Sequence, residues 1–187
     1  MRIAKRRRTE NKTDYKARLR LLKSQKPRIV VRKTNRYILA QYVESEEAKD
    51  RVIFGISSKE LLNHGWEKEK AGSLKSIPAG YLTGLLLGTK IHAKAKEGSS
   101  LGKTSEKTAK AKAHHKTEGS EVILDLGMIR NIKKSRVYAV LNGLVDAGVK
   151  IKYKKEDLPN EKRIKGEHLK NKINFEKIKE SILKGKK

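Results

Sequence analysis

The positive charge of this chain is not spread evenly along it. Residues 1–36 hold 15 lysines and arginines against 2 acids, residues 90–118 hold 8 against 3, and residues 150–187 hold 14 against 6. The remainder, residues 37–89 and 119–149, holds 10 of each sign. The formal net charge of +26 therefore comes wholly from three segments, and what they flank is neutral. A uniformly basic sphere would repel itself, whereas a neutral core with basic extensions can fold and hold its cations towards a polyanion. Each phosphate contact made by such an extension would release condensed counterions. A single lysine-rich segment reads equally well as a solvated face. Three of them, together with the run Arg6-Arg7-Arg8, favour nucleic acid.

A chain of 187 residues is long enough for one domain with its own core, or for a small domain with long tails. It contains no cysteine. A disulfide scaffold, a cysteine-ligated metal and a thiol nucleophile are therefore excluded. No apolar run reaches the roughly 18 residues that span a bilayer. The basic start, Met1 to Arg8, lacks the apolar stretch of a secretory signal. No membrane role is expected.

Residues 1–12 show no hydrophobic period and read as a disordered arm. Thr13-Asp14 signals a helix start, with Tyr15, Leu19 and Leu22 at helical spacing; Pro27 bars its continuation. Two β-rich runs, Arg28–Lys33 and Tyr37–Val43, flank Thr34-Asn35-Arg36 and predict a hairpin with Asn35 in the left-handed region. Arg51–Ser57 supplies a third, antiparallel strand. Ser57-Ser58 caps a short helix through Leu61 and Leu62, stopped by Gly65.

Ile77-Pro78 opens the most apolar stretch, a buried helix with Pro78 in its first turn. Gly80, Gly84 and Gly88 recur every fourth residue on one face, which predicts close approach to the sheet. Residues 93–119 lack a hydrophobic period and read as a solvated insertion or frayed helix. Glu121–Gly127 predicts a buried strand. Ser135–Gly148 predicts a helix whose stripe is Val137, Val140, Leu141, Leu144 and Val145, with Gly148 as its end. After Leu158-Pro159 come two weakly amphipathic, lysine-rich helices.

Three sequential strands, then helix, strand and helix, predict an α/β sandwich, a small mixed sheet packed with helices. The expected units are a basic N-terminal arm and helix over 1–26, an α/β core over 27–149 carrying a lysine-rich insertion at 95–119, and a basic helical extension over 150–187.

Catalytic chemistry finds little support. His64, His92, His114, His115 and His168 show no metal-ligand spacing, and no phosphate loop, dinucleotide fingerprint or nucleophile elbow is present. Asp125 with Asp50 or Asp146 is the nearest approach to a magnesium site, too few carboxylates for two-metal cleavage. No cofactor is expected. Charge and geometry instead support RNA or DNA binding. The hairpin tip, Arg32 to Arg36, carries cations and an amide on a rigid support. Arg28 and Arg32 share a strand face with Val30, placing guanidiniums where they could clamp phosphates. The alternative is an edge strand protected by charge. Tyr15, Tyr37, Tyr42 and Trp66 could stack on unpaired bases, although Tyr37 and Trp66 suit a core better.

At these residues the chain resembles a known family. Thr13–Ser24, Lys26–Gln41, Ile77–Gly88, Leu124–Gly127 and Ser135–Gly148 are similar, in order and spacing, to blocks of the eighteenth universal family of large-subunit ribosomal proteins, the 5S-rRNA binders. The similarity runs from about residue 5 to 170, with one interruption. Arg163-Ile-Lys-Gly-Glu-His-Leu resembles the long archaeal form, and the insertion at 95–119 departs from the pattern. The resemblance implies a ribonuclease-H-like sandwich without nuclease activity. It implies a structural RNA-binding protein of the cytoplasmic large subunit, attaching 5S rRNA to the large rRNA among the proteins of the central protuberance. It maps the RNA contacts onto Arg6, Arg7, Arg8, Lys12, Tyr15, Arg18, Arg28, Arg32, Lys33, Asn35 and Arg36. A non-specific nucleic-acid-compacting protein and a metal-dependent nuclease are the alternatives.

Overall fold

Local sequence signals set most element ends. The computed structural model describes residues 5–46, 49–100, 121–169 and 173–185. Within the arm, Arg6–Thr9 forms one exposed helical turn, α1, where the sequence predicts disorder. The Arg7 guanidinium holds this turn by donating to the Thr13 hydroxyl at 2.9 Å. Asp14 then caps α2 (Tyr15–Lys23), its carboxylate accepting from the amides of Lys16 and Ala17. That satisfies two of the donors a helix start leaves open. Gln25, at φ 52°, turns the chain ahead of Pro27.

The hairpin pairs β1 (Arg28–Lys33) with β2 (Ile38–Glu46). Its turn is closed by Thr34 rather than by a left-handed Asn35. The Thr34 amide donates to the Tyr37 carbonyl, and the Thr34 hydroxyl accepts from the Tyr37 amide, each at 2.9 Å. A side chain that mimics a backbone turn partner removes the need for positive φ at Asn35. β3 (Lys49–Ser57) lies antiparallel on β2. A capping box built on Ser57 and Glu60 then starts a 3-10 turn over Ser58–His64, which Gly65 ends at φ 97°.

On the other edge, β4 (Ile123–Asp125) runs parallel to β1, giving the order β3-β2-β1-β4. The buried strand predicted over Glu121–Gly127 is thus only three residues long, with Ile123 and Leu124 half-buried. It stops because the Asp125 carboxylate accepts the Gly127 amide at 2.7 Å and bends the chain out of the sheet.

Two helices cover one face of the sheet, α3 (Ile77–Ser100) and α4 (Arg136–Asp146). Ile29, Val31, Ile38, Ala40, Tyr42 and Ile56 meet Leu82, Leu85, Val140 and Leu144 in the core. The glycine face of α3, which its spacing predicts to approach the sheet, chiefly meets α4; only Gly80 also lies beside a sheet side chain, Ile38 of β2. A methyl group at Gly80 would lie 2.9 Å from the Arg136 carbonyl. One at Gly84 would overlap the Val140 carbonyl, and one at Gly143 of α4 would overlap that of Tyr81. Glycines facing each other from both helices bring the two backbones together, so the small face belongs where helix meets helix. Gly148, at φ 97°, follows α4 as predicted.

The C-terminal helices are α5 (Glu161–Lys165) and α6 (Phe175–Lys184). The sequence reads as weakly amphipathic here, yet Phe175, Ile178 and Ile182 of α6 are all buried against α3 and the Ser58–His64 turn. Their i, i+3, i+7 spacing makes a narrow stripe that frequent lysines obscure. The predicted insertion is partly helix, since α3 runs to Ser100; residues 101–119 and the pair His114-His115 lie outside the described residues. Among the described residues, no helix is long and apolar enough to cross a membrane.

Candidate nucleic-acid interface

Strand alternation puts Arg28 and Arg32 on one face of β1, as predicted, but the two guanidiniums have different surroundings. Arg28 is only 3% exposed. Its guanidinium donates to Asp50 at 2.7 Å and to the Ser45 hydroxyl at 2.9 Å, and lies 3.4 Å from Asp125. Arg18 of α2 reaches the same Asp50 at 2.8 Å. Arg32 donates to the Asp125 carbonyl at 2.9 Å and to its carboxylate at 3.2 Å. Three arginines from α2 and β1 are thus tied by two carboxylates from β3 and β4. A charge buried this deeply is tolerable only when paired and hydrogen-bonded. Asp50 and Asp125, the carboxylates nearest to a magnesium site in the sequence, serve that pairing. The third, Asp146, accepts from the Tyr81 hydroxyl at 2.6 Å between α3 and α4. Burial first, and then Asp146, push the Tyr81 hydroxyl well above its ordinary pKa.

The network sorts the predicted RNA contacts. Arg28 is enclosed by protein, with almost none of its side chain in solvent. Arg18 and half-exposed Arg32 keep one side outward while carboxylates fix the other. Lys33, Asn35 and Arg36 stand exposed on the hairpin end. Arg6, Arg7, Arg8 and Lys12 are exposed on and after α1, with Glu10 between Arg6 at 3.5 Å and Lys12 at 2.7 Å. Of the four candidate stacking aromatics, Tyr42 and Trp66 are core residues, and the Trp66 indole donates to the Lys70 carbonyl at 3.1 Å. Tyr37 packs against the core. Tyr15 is half-exposed, with the Lys5 ammonium 4.7 Å above its ring centre.

These groups converge because β1 and β4 are parallel. The hairpin end and the loop after β4 leave the sheet at the same end. Gly127 of that loop sits over Arg32, where a methyl group would come within 2.8 Å of the guanidinium carbon. Met128 faces the arm, lining a cavity of about 330 Å³ with Arg8, Tyr15 and Lys16. Arm, loop and hairpin end therefore form one continuous cationic face. Sequence reasoning misses the loop because its cations, Arg130, Lys133 and Lys134, lie within a segment whose total charge is near zero. The signal that could have found it is the Lys133-Lys134 pair beside aperiodic Met128, Ile129 and Ile132. Away from this face, Lys26 and then Lys152 hold the Glu121 carboxyl below its usual range. Among the described residues, no group of three or more histidines and acids could hold a metal ion.

Comparison with known proteins shows the family. Residues 1–154 match the family model described as ribosomal large subunit proteins 60S L5 and 50S L18. The large ribosomal subunit protein uL18 of Korarchaeum cryptofilum is 42% identical over 88% of this chain and 70% of its own length. That of Methanothrix thermoacetophila is 42% identical over 89% of the chain and 82% of its own length. That of Methanospirillum hungatei is 39% identical, covering 89% and 80%. With a neutral α/β core, a cationic face and this similarity across most of its length, the chain belongs to the uL18 family of large-subunit ribosomal proteins.

Proposed function

We propose that this protein binds 5S rRNA and attaches it to the large rRNA in the central protuberance, among neighbouring ribosomal proteins, as a cytoplasmic scaffold and not a catalyst. The observation that carries this reading is the continuous face formed by arm, loop and hairpin end on a rigid sheet. A scaffold must hold cations in fixed relative positions to select one folded RNA over another, and Asp125 does this for Arg32. A preorganised guanidinium loses less freedom on binding than one on an extension that must first be ordered. The commitment of Asp50 and Asp125 to arginines speaks against the nuclease reading.

Two comparisons test the proposal. At equal salt, the protein should bind folded 5S rRNA more tightly than random duplex DNA; equal affinities would indicate a generic compacting protein. Arg32→Ala combined with Arg36→Ala should weaken 5S rRNA binding more than two alanine changes among Arg6, Arg7 and Arg8. The hairpin variant should also lose discrimination against an unrelated RNA of the same length, while the arm variant weakens both about equally. Equal losses for both variants on both RNAs would refute the hairpin as the selective element.

A further inference from the structure

The loop from Gly127 to Ser135 is firmly held and yet displays apolar side chains to water. Its ties are several. The Gly127 amide donates to Asp125 at 2.7 Å, the Asn131 side-chain oxygen accepts from the Tyr138 hydroxyl at 2.5 Å, and the Lys134 amide donates to the Asp157 carbonyl at 2.8 Å. Lys134 itself sits at φ 57°, a conformation unfavourable for a residue with a side chain. On this frame Met128 is 54% exposed and Ile132 56%. Between and beside them stand Arg130, Lys133 and Lys134, all exposed; the loop itself contains no acid, and Lys133 is paired with Asp157 outside it at 3.5 Å. The anchoring fixes two large apolar groups in water beside cations, an arrangement that suits a partner offering both apolar faces and negative charge.

We infer that this loop is an RNA-binding element, and that the cleft between Met128 and the arm takes an unpaired nucleotide of ribosomal RNA. The inference rests on the RNA-binding reading above but not on which rRNA is bound. The cleft, at about 330 Å³, falls within the range of about 300–1,000 Å³ typical of small-molecule sites. Its lining joins two chemistries, Tyr15 and Met128 for the face of a base, and Arg8 with Lys16 for the adjoining phosphates, with the Lys5 ammonium 4.7 Å over one face of the Tyr15 ring. The one acid in the lining, Asp14, is turned to the amides of α2. A paired helix offers phosphates but hides its base faces, so exposed apolar groups gain nothing from it. Unstacked bases offer both, and flat side chains or thioethers can cover them. Ile132, further along the same loop and outside the cleft, is its second exposed apolar side chain. Even with Lys133 paired to Asp157, the loop keeps a net positive charge, which makes it complementary to a polyanion and poorly matched to a basic protein surface.

Large subunits assembled with a full-length chain carrying benzoylphenylalanine in place of Ile132 provide the test. Illumination should cross-link the loop to rRNA at an unpaired nucleotide. A cross-link to 5S rRNA would support both readings, whereas one to the large rRNA alone would keep this inference while counting against a 5S contact by this loop. A cross-link to a ribosomal protein, or none at all, would overturn it. As a second measurement, Met128→Ser combined with Ile132→Ser should weaken binding to naked rRNA about tenfold, the scale of one base stacked on a side chain. The slope of log affinity against log salt should not change, because no charge is removed. Wild-type affinity in a variant with wild-type melting would also overturn the inference.

Discussion

The α3–α4 packing and the charged end of the sheet lie in one small molecule but are specified by opposite means. Between the helices, Gly80, Gly84 and Gly143 remove side chains so that backbones touch, and the surrounding residues are mostly apolar. At the sheet end, Arg18, Arg28 and Arg32 are long, charged and tied by two carboxylates. The helix pair is intolerant of added volume, while the arginine network is intolerant of unbalanced charge. One region therefore holds the fold together, and the other uses part of the same sheet to hold cations facing outward. Arg28 links the two, since it belongs to the charged network but is as buried as the core.

Breaking Arg28 gives the largest expected effect. Arg28→Ala would remove the buried cation between Asp50 and Asp125, leaving them only Arg18 and Arg32, and removing one member of a buried pair costs up to about 3–5 kcal/mol. Denaturant titration should show that loss; a change below about 1 kcal/mol would mean that water replaces the guanidinium and that the network is peripheral. Gly84→Leu tests the other region. Its added side chain would meet the Val140 backbone, and overpacking typically costs about 1–3 kcal/mol. Melting at the wild-type temperature would show that the helices separate freely, and RNA binding should fall only as far as the fold is lost.

Removing residues 1–12 sharpens the contrast between structure and charge. No residue of α1 is buried, so stability should hold within about 0.5 kcal/mol. The slope of log affinity against log salt should nevertheless flatten by about 0.7–0.9 for each phosphate that the arm no longer neutralises. An unchanged slope would mean that the arm does not touch RNA. The smallest effect is set by Tyr81, the one strongly perturbed acid between the two helices. Its folded pKa is raised above the ordinary 10.0, so its contribution is complete below that pH and is lost as pH rises towards the folded value. Stability should therefore fall more steeply above about pH 10 in the wild type than in Tyr81→Phe, by thermal melting; parallel curves would contradict the assignment.

Much of the architecture was legible locally. Asp14, the Ser57 cap, Gly65 and Gly148 each mark an element end through interactions with residues at most four positions away, which is why sequence alone places them. The stripe of α4 was readable for the same reason, being a period on one helix. The candidate site was readable in its charge and only partly in its geometry. The exposed residues Arg6 to Arg8, Lys33, Asn35 and Arg36 follow from composition and a hairpin. The burial of Arg28 does not, because its partners lie 22 and 97 residues away and leave no mark near it.

What the sequence determined by itself is therefore the neutral core, the three basic segments, the order of the strands and helices along the chain and the family. Tertiary structure alone decided that the glycine face of α3 meets a helix, that β4 lies parallel beside β1 at the edge of the sheet, and that Arg28 is spent inside while the loop of Met128 and Ile132 joins the arm. The physical reason is common to all three. Caps, turns and periods are interactions between near neighbours and are written in consecutive residues, whereas packing partners and ion pairs join residues far apart, whose proximity exists only once the chain has folded.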